Sequence, residues 1–109
     1  MRPNSLKNKV EFDSVFDKGK RLSGGLLMVT VAKGTGSTKL GIIVNSKFGG
    51  AVARNKVKRK IREAFWAVAG KFRENAEVAI IPKGPARMAK TPDILTDLSS
   101  ILYRAEIIS

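Results

Sequence analysis

A short segment near the middle of the chain concentrates basic side chains at a density that can bind a polyanion. Six of the nine residues from Arg54 to Arg62 are lysine or arginine. On a helix such residues repel one another, and cations near a helix N-terminus gain nothing from the helix dipole. A bound anionic backbone would offset that repulsion. The segment therefore favours binding of nucleic-acid phosphates over a merely solvated helix face, without indicating which nucleic acid is bound.

The wider distribution of charge supports the same interpretation. The chain has 109 residues and a formal net charge of +12, from 21 Lys and Arg and 9 Asp and Glu. All of this excess comes from residues 18–62, which contain twelve basic residues and no acidic residue. A surface that serves only solubility mixes both signs. The segregation predicts an electrostatic footprint for a polyanion.

The residue types that most often carry protein catalysis are missing. The chain contains no Cys and no His, so it lacks disulfides, thiolate metal sites and the commonest general base. Glu11, Asp13 and Asp17 share a predicted helix, but carboxylates on one small helix are usually solvated or paired. We therefore predict no catalytic residue, no metal site and no cofactor in the protein alone. A Mg²⁺ ion shared with RNA phosphates is the one metal that this composition leaves open.

The basic segment falls on a long helix that the apolar pattern predicts from about residue 51 to about residue 72. When successive residues are placed about 100° apart around the helix axis, six apolar residues fall in one stripe along the helix: Val57, Ile61, Ala64, Phe65, Val68 and Phe72. Four basic residues fall opposite or beside this stripe, in solvent: Lys56, Arg59, Lys60 and Arg62. Arg54 falls on the buried side, and we expect it to point along the edge of a sheet.

The other elements predicted from the pattern would position this helix. A first helix starts at the capping residues Asn8 and Glu11 and ends at Gly19, and a last helix starts with Thr91 as N-cap and Pro92 at its first position. The last helix is expected to bury Leu95, Leu98, Ile101, Leu102 and Ala105. Strands are predicted at an edge segment 20–23, at 26–33 and 39–45 as a hairpin around the turn 34–37, and at 77–81. The order describes an α+β domain with helices packed on a sheet.

Three aromatic residues allow more than one interpretation. Phe12 and Phe16 lie four residues apart on the first helix, a spacing that favours core positions. Trp66 lies away from the apolar stripe, so either an RNA contact or packing on the last helix would explain it.

The combination of segments resembles one known family. Residues 53–63, with the sequence ARNKVKRKIRE, resemble the RNR signature of the bacterial ribonuclease P protein family. Residues 11–20 are similar to the first helix of that family, residues 41–52 to its strand-to-helix connection, and residues 80–86 to its last strand and loop. The resemblance extends from about Leu6 to about Ile107.

The resemblance implies both a fold and a function. The implied fold is a single domain over residues 1–109, with a four-stranded sheet in the order αβββαβα. It is like ribosomal protein S5 domain 2, with a left-handed βαβ crossover where general rules predict a right-handed one. The implied function is that of the protein subunit of ribonuclease P, an endoribonuclease that performs 5′ maturation of tRNA. In that family the RNA subunit, with Mg²⁺, carries out the hydrolysis.

The resemblance also assigns site residues and partners. The residues implied to bind the catalytic RNA are Arg54, Asn55, Lys56, Lys58, Arg59, Lys60 and Arg62. The residues implied to bind the 5′ leader of precursor tRNA are Phe12, Phe16, Thr30, Asn45 and Lys47, with Thr30 at a position where the family often has an aromatic residue. The expected partners are the catalytic RNA and precursor tRNA, with no membrane and no obligate protein partner.

The location and the rival functions follow from the same sequence. Residues 1–4 lack an apolar export segment, and the longest apolar run has only six residues, Ala64 to Ala69, so we expect a cytoplasmic protein. The first rival is a ribosomal or general RNA-binding protein of related fold. The second is an autonomous nuclease, against which the absence of His and of a clustered carboxylate pair argues.

Overall fold

A mixed β-sheet forms the centre of the computed structural model, which describes residues 4–109. Its strands are β1 (Asn4–Ser5), β2 (Lys20–Ser23), β3 (Leu27–Lys33), β4 (Lys39–Ile42) and β5 (Ala76–Pro82). Their order across the sheet is β1-β4-β5-β3-β2. Strand β5 pairs antiparallel with β3 and parallel with β4, while β1 pairs parallel with β4 and β2 antiparallel with β3. The four predicted strands are present, and the two-residue β1 extends the sheet at one edge.

Three helices and two short 3₁₀ turns complete the fold. The helices are α1 (Lys9–Lys18), α2 (Ala51–Ala69) and α3 (Thr91–Arg104), and the 3₁₀ turns are Ser46–Phe48 and Gly84–Arg87. After β1, the order of elements is the predicted αβββαβα, which confirms the α+β class. The handedness of the β4–α2–β5 crossover stays a prediction. Within residues 4–109, no helix combines the length and the apolar composition that crossing a membrane takes. The expected lack of an export segment concerns residues 1–4, of which residues 1–3 lie outside the described part.

The predicted hairpin between β3 and β4 is wrong, because β5 lies between these two strands. Val78, Ala79 and Ile80 of β5 are each at most 1% exposed, so both faces of this strand are covered. Such a strand takes the centre of a sheet. The turn residues 34–37 indicate a change of direction but do not determine which strand β4 pairs with. Strand β4 also ends at Ile42 rather than Asn45, because Asn45 caps the following 3₁₀ turn.

The two faces of the sheet are covered by different helices. On one face, α2 and α3 enclose the main core, whose largest fully buried members include Leu27, Ile61, Phe65, Ile80, Leu98 and Ile101. On the other face, α1 packs over a smaller cluster formed by Leu6, Val15, Ala32 and Ala79. Short side chains on this second face let the helix approach the strands closely. At Gly41 of β4, an added Cβ would overlap the ring of Phe12 from α1.

Helix α1 begins and ends at the predicted residues. Asn8 caps its N-terminus, where the side-chain Oδ1 accepts the backbone N–H of Glu11 at 3.0 Å. At the other end, the N–H of Gly19 donates to the carbonyl of Val15 at 2.7 Å. A Cβ at Gly19 would meet that same carbonyl and the methyl group of Thr30. Since the φ angle of Gly19 is −86°, close approach rather than a left-handed backbone explains the glycine.

Helix α2 ends at Ala69, earlier than the predicted end near Phe72. The five other residues of the predicted apolar stripe are buried, as expected. Phe72 is half-buried and packs edge-to-face on Phe65, with ring centroids 5.5 Å apart and an interplanar angle of 79°. The aromatic residue therefore contributes to the core from the turn that follows the helix.

Helix α3 begins with a different cap from the one predicted. Thr91 is its first residue and Lys90 is the N-cap, whose backbone N–H donates to Oδ2 of Asp93 at 3.0 Å. Ile94 is fully buried although the expected core face omitted it, whereas Leu95 is only half-buried. The N-cap is thus one residue earlier than predicted, and the buried face of α3 includes Ile94 in place of Leu95.

A carboxylate of α3 fastens the turn between β2 and β3. Asp97 accepts three backbone N–H groups from this turn: Gly25 at 3.1 Å, Leu26 at 3.0 Å and Leu27 at 3.0 Å. The Nζ of Lys83 donates to a carbonyl oxygen of the same turn at 2.6 Å. The turn is therefore held from both α3 and the end of β5, which fixes the edge strand β2.

Candidate nucleic-acid interface

Helix α2 carries all of the residues implied to bind the catalytic RNA. They are Arg54, Asn55, Lys56, Lys58, Arg59, Lys60 and Arg62. Residues four apart share a side of a helix, so these residues form rows along α2. Asn55 and Arg59 form one exposed row. The row of Lys58 and Arg62 lies on one side of it, and the row of Lys56 and Lys60 on the other. Trp66 is half-buried on the same helix and has contacts of its own.

Arg54 differs from the other cations of α2. Its side chain is half-buried, and its Nε atom is buried without a hydrogen-bond partner among residues 4–109. A buried donor without an acceptor costs free energy, so this guanidinium lacks one of the contacts it needs. The partial burial agrees with the predicted position of Arg54 beside the apolar stripe. Its direction along the sheet edge stays a prediction.

A cleft of about 220 Å³ joins α2 to α1 around the β1–β4 edge of the sheet. Lys58 and Arg62 of α2 line one side, and Phe12 of α1 lines the other, next to Gly41. The family resemblance assigns Phe12 to the leader and the two cations to the catalytic RNA, yet the three side chains border the same space. An aromatic ring that can stack with a base thus lies beside cations that can bind phosphates.

Phe16 continues the aromatic surface of α1. Its ring centroid lies 6.4 Å from that of Phe12, with an interplanar angle of 28°. The guanidinium carbon of Arg21, on β2, lies 5.8 Å from the Phe16 centroid, within the range of a cation–π contact. Both rings are half-buried against the cluster that contains Val15. Each ring therefore serves the core and also presents an accessible part to solvent.

Asn45 and Lys47 lie in a separate cleft at the far end of β4. The Oδ1 atom of Asn45 accepts the backbone N–H of Lys47 at 3.0 Å, which shapes the 3₁₀ turn. Both side chains are exposed and line a cleft of about 190 Å³, together with Phe48 and Ile81. Three of the predicted leader residues therefore line two clefts rather than one, Phe12 in the first and Asn45 and Lys47 in the second.

An ion pair fixes the start of α1 against the sheet. The Nζ of Lys39 lies 3.0 Å from Oε2 of Glu11, and the backbone N–H of Lys7 donates to the other carboxylate oxygen at 3.0 Å. The hydrogen bond from Lys39, aided by that from Lys7, lowers the pKa of Glu11. The same bond to Glu11 raises the pKa of Lys39. The negative charge of Glu11 is thus neutralised locally. Within residues 4–109, no three acidic, His or Cys side chains form a group that could hold a metal ion.

The comparison with known families decides the assignment. The sequence model of the family named Ribonuclease P matches residues 1–106. The chain belongs to the ribonuclease P protein family. The ribonuclease P protein component of Clostridium botulinum (strain 657 / Type Ba4) is 31% identical over 109 residues, which cover 98% of each chain. That of Shouchella clausii (strain KSM-K16) is 29% identical over 106 residues, 95% of this chain and 87% of the relative.

Solved structures of ribonuclease P proteins have the same fold. The Staphylococcus aureus protein, solved at 2.0 Å, superposes with a TM-score of 0.85 at 27% identity, covering 99% of this chain and 100% of that one. The Thermotoga maritima protein superposes with a TM-score of 0.81 at 29% identity, covering 93% and 96%. The resemblance noted in the sequence is confirmed, and so is the implied α+β fold with the element order αβββαβα.

One of the predicted leader residues, Thr30, is buried in this chain. Its side chain is only 2% exposed, because the end of α1 at Gly19 covers it. The alternation along β3 places Thr30 on the face that α1 covers, where it offers no surface to RNA. Thr30 was assigned through the family resemblance, which does not reveal how far α1 extends over the strand in this chain.

Three aliphatic residues that the sequence reasoning did not assign to the site lie beside it. Met28 and Ile81 are register partners on β3 and β5, and Ile43 follows β4 with its N–H bonded to the carbonyl of Ile80. Strand alternation places them on the α1 face, but they are half-buried, whereas Ala79 under α1 is buried. They form an apolar floor next to α1. Alternation in the segments 27–33, 39–43 and 76–82 is the signal that could have found them.

Proposed function

We propose that this chain is the protein subunit of a ribonuclease P ribonucleoprotein. It binds the catalytic RNA through α2 and the 5′ leader of precursor tRNA beside α1, and so assists endonucleolytic 5′ maturation of tRNA. The observation that carries the proposal is the cleft at the β1–β4 edge, which Lys58 and Arg62 share with Phe12. Cations there neutralise phosphates while the ring stacks with an unpaired base. Membership of the ribonuclease P protein family supports the same assignment.

The hydrolysis is assigned to the RNA and its Mg²⁺ ions. Mg²⁺ supplies the Lewis-acid chemistry of phosphodiester hydrolysis, and RNA phosphates are ligands that it prefers. The residues of the proposed interface are cations, an amide, and aromatic and aliphatic side chains, which bind and orient RNA. Since the chain contains no His, it has no imidazole to act as a general base. The protein contributes affinity and position.

The leader contacts would favour substrate over product. A leader is present in precursor tRNA and absent from mature tRNA, so every contact with it strengthens precursor binding alone. Phe12 and Phe16 provide ring faces, while Asn45 and Lys47 are exposed beyond the apolar floor of Met28, Ile43 and Ile81. Binding of this kind raises turnover, because the product leaves more readily than the substrate.

The test is reconstituted cleavage of a precursor tRNA. A bacterial ribonuclease P RNA, the protein, and the two together are assayed at low Mg²⁺, where the proposal expects cleavage only in the mixture. Cleavage by the protein alone would show an autonomous nuclease. No stimulation in the mixture would favour a general RNA-binding protein.

A matched pair of variants tests the proposed face. The double variant Arg59→Ala/Arg62→Ala removes two charges from α2, and the control Lys9→Ala/Lys71→Ala removes two exposed charges outside it. We expect the α2 variant to bind the catalytic RNA more weakly and to lose about two from the magnitude of the salt slope, while the control changes little. Equal effects in both variants would indicate nonspecific attraction.

A further inference from the structure

A second cavity borders α2 on the side opposite the Phe12 cleft. It has a volume of about 470 Å³ and lies between the first turns of α2 and the 3₁₀ turn Gly84–Arg87. Val52 and Met88 line it, although they are 82% and 87% exposed. Two large apolar side chains in solvent around one cavity are unusual for a surface that binds only phosphates. We call this cavity the Val52–Met88 notch.

Cations complete the lining of the Val52–Met88 notch. Lys56, Lys60 and Arg87 line it, and none of the described residues around it is acidic. The Nζ of Lys60 donates to the carbonyl of Ala89 at 2.7 Å, which ties α2 to the segment that carries Met88. Arg87 lies against Gly49, where an added Cβ would come within 3.5 Å of the guanidinium carbon. The two sides of the notch are therefore linked by direct contacts, which favours a preformed site.

We propose that the Val52–Met88 notch holds one unstacked nucleobase of the RNA that α2 binds, with the adjoining phosphates on Lys56 and Arg87. The inference rests on the proposed function and adds which structural element of the RNA is recognised. The lining of the notch favours a nucleotide as its occupant. The flat face of the base complements the apolar side chains, and the negative phosphate complements the cations. Paired bases are stacked inside a duplex and cannot enter, so the nucleotide comes from a bulge, loop or junction.

The first test compares two double variants that each remove exposed apolar side chains. Val52→Ser/Met88→Ser alters the notch, and Val10→Ser/Tyr103→Ser alters exposed residues on α1 and α3. The equilibrium Kd for a bacterial ribonuclease P RNA is measured over a series of KCl concentrations. We expect the notch variant to bind about tenfold more weakly with an unchanged salt slope, because no charge is removed. The control variant should keep the wild-type Kd.

The same titrations separate failure of the notch from failure of the proposed function. Wild-type protein that binds this RNA no better than an unrelated duplex would refute the proposed function. Tight wild-type binding, together with a notch variant that matches the control, would overturn the notch alone. An equal loss of RNA affinity in both double variants would also overturn it, since removal of any exposed apolar side chain would then have the same effect.

A crosslinking experiment locates the nucleotide directly. The chain has no cysteine, so Met88→Cys accepts a thiol-specific photocrosslinker at a single position. Primer extension on the crosslinked ribonuclease P RNA is expected to stop at one or two unpaired nucleotides. Stops confined to base-paired helices, or no crosslinks from a variant that still binds the RNA, would overturn the proposal.

Discussion

The carboxylate of Asp97 allows a stability prediction that can be worked out from its contacts. The Asp97→Ala variant removes the acceptor of three backbone N–H groups, at 3.0 to 3.1 Å, in the turn between β2 and β3. In the variant, these N–H groups either donate to water or have no hydrogen-bond acceptor. Since β3 is a central part of the core, the effect should extend beyond the turn to global stability.

The magnitude depends on which of the three groups water can reach. The N–H of Gly25 is exposed, so water replaces the lost acceptor there at little cost. The N–H groups of Leu26 and Leu27 are partly buried. A hydrogen bond to a charged group contributes about 1.5–3 kcal/mol, and the lower value applies to partly solvated groups. Counting those two bonds gives an expected loss of about 3 kcal/mol in the free energy of unfolding.

Urea unfolding followed by the fluorescence of Trp66, the only tryptophan, measures this loss. The variant Asp97→Asn keeps one carbonyl acceptor and should lose about half as much stability. Asp13→Ala removes an exposed carboxylate from α1 and should stay within about 0.5 kcal/mol of wild type. An Asp97→Ala protein as stable as Asp13→Ala would refute the reasoning that the carboxylate fastens the turn.

Three further predictions address packing, pH and charge. Gly41→Ala should destabilise the protein by about 2 kcal/mol in urea, because its Cβ overlaps the Phe12 ring, while Gly36→Ala, in open space, changes less. Glu11→Gln should lower stability near pH 7 but not at about pH 2. The pKa of this carboxyl is lowered from 4.5, so its contribution is present above that value and lost as the pH falls through the folded pKa. Equal urea midpoint differences at both pH values would contradict this sign. Arg59→Ala should reduce the salt slope of RNA binding by about 1, and an unchanged slope would place the RNA on another face.

Local features of the fold could be predicted from the sequence because neighbouring residues determine them. The cap of α1 at Asn8 depends on residues within one turn, and at the other end the N–H of Gly19 bonds to Val15, one turn earlier. The buried stripe of α2 follows from helical geometry, which placed Val57 and Ile61 correctly. The excess of basic residues on the other sides of that helix follows from the same geometry.

Features that depend on distant parts of the chain could not be predicted in this way. The pairing of β3 and β4 with β5 rather than with each other involves residues separated by the whole of α2. The burial of Thr30 depends on where α1 crosses the sheet. The meeting of Phe12 with Arg62 in one cleft likewise requires the tertiary arrangement, since nothing in either local sequence refers to the other.

The central position of β5 has a consequence for the order in which the molecule folds. Strands β3 and β4 have no pairing with each other and both depend on residues 76–82, which follow the basic helix in the chain. During synthesis, the apolar segments 27–33 and 39–42 leave the ribosome well before their shared partner. A nascent chain that ends before residue 76 lacks the strand that joins β3 to β4, so its sheet is incomplete. Folding is therefore a late event that depends on contacts between distant parts of the chain. The helix that carries the positive charge is complete before the scaffold that orients it exists.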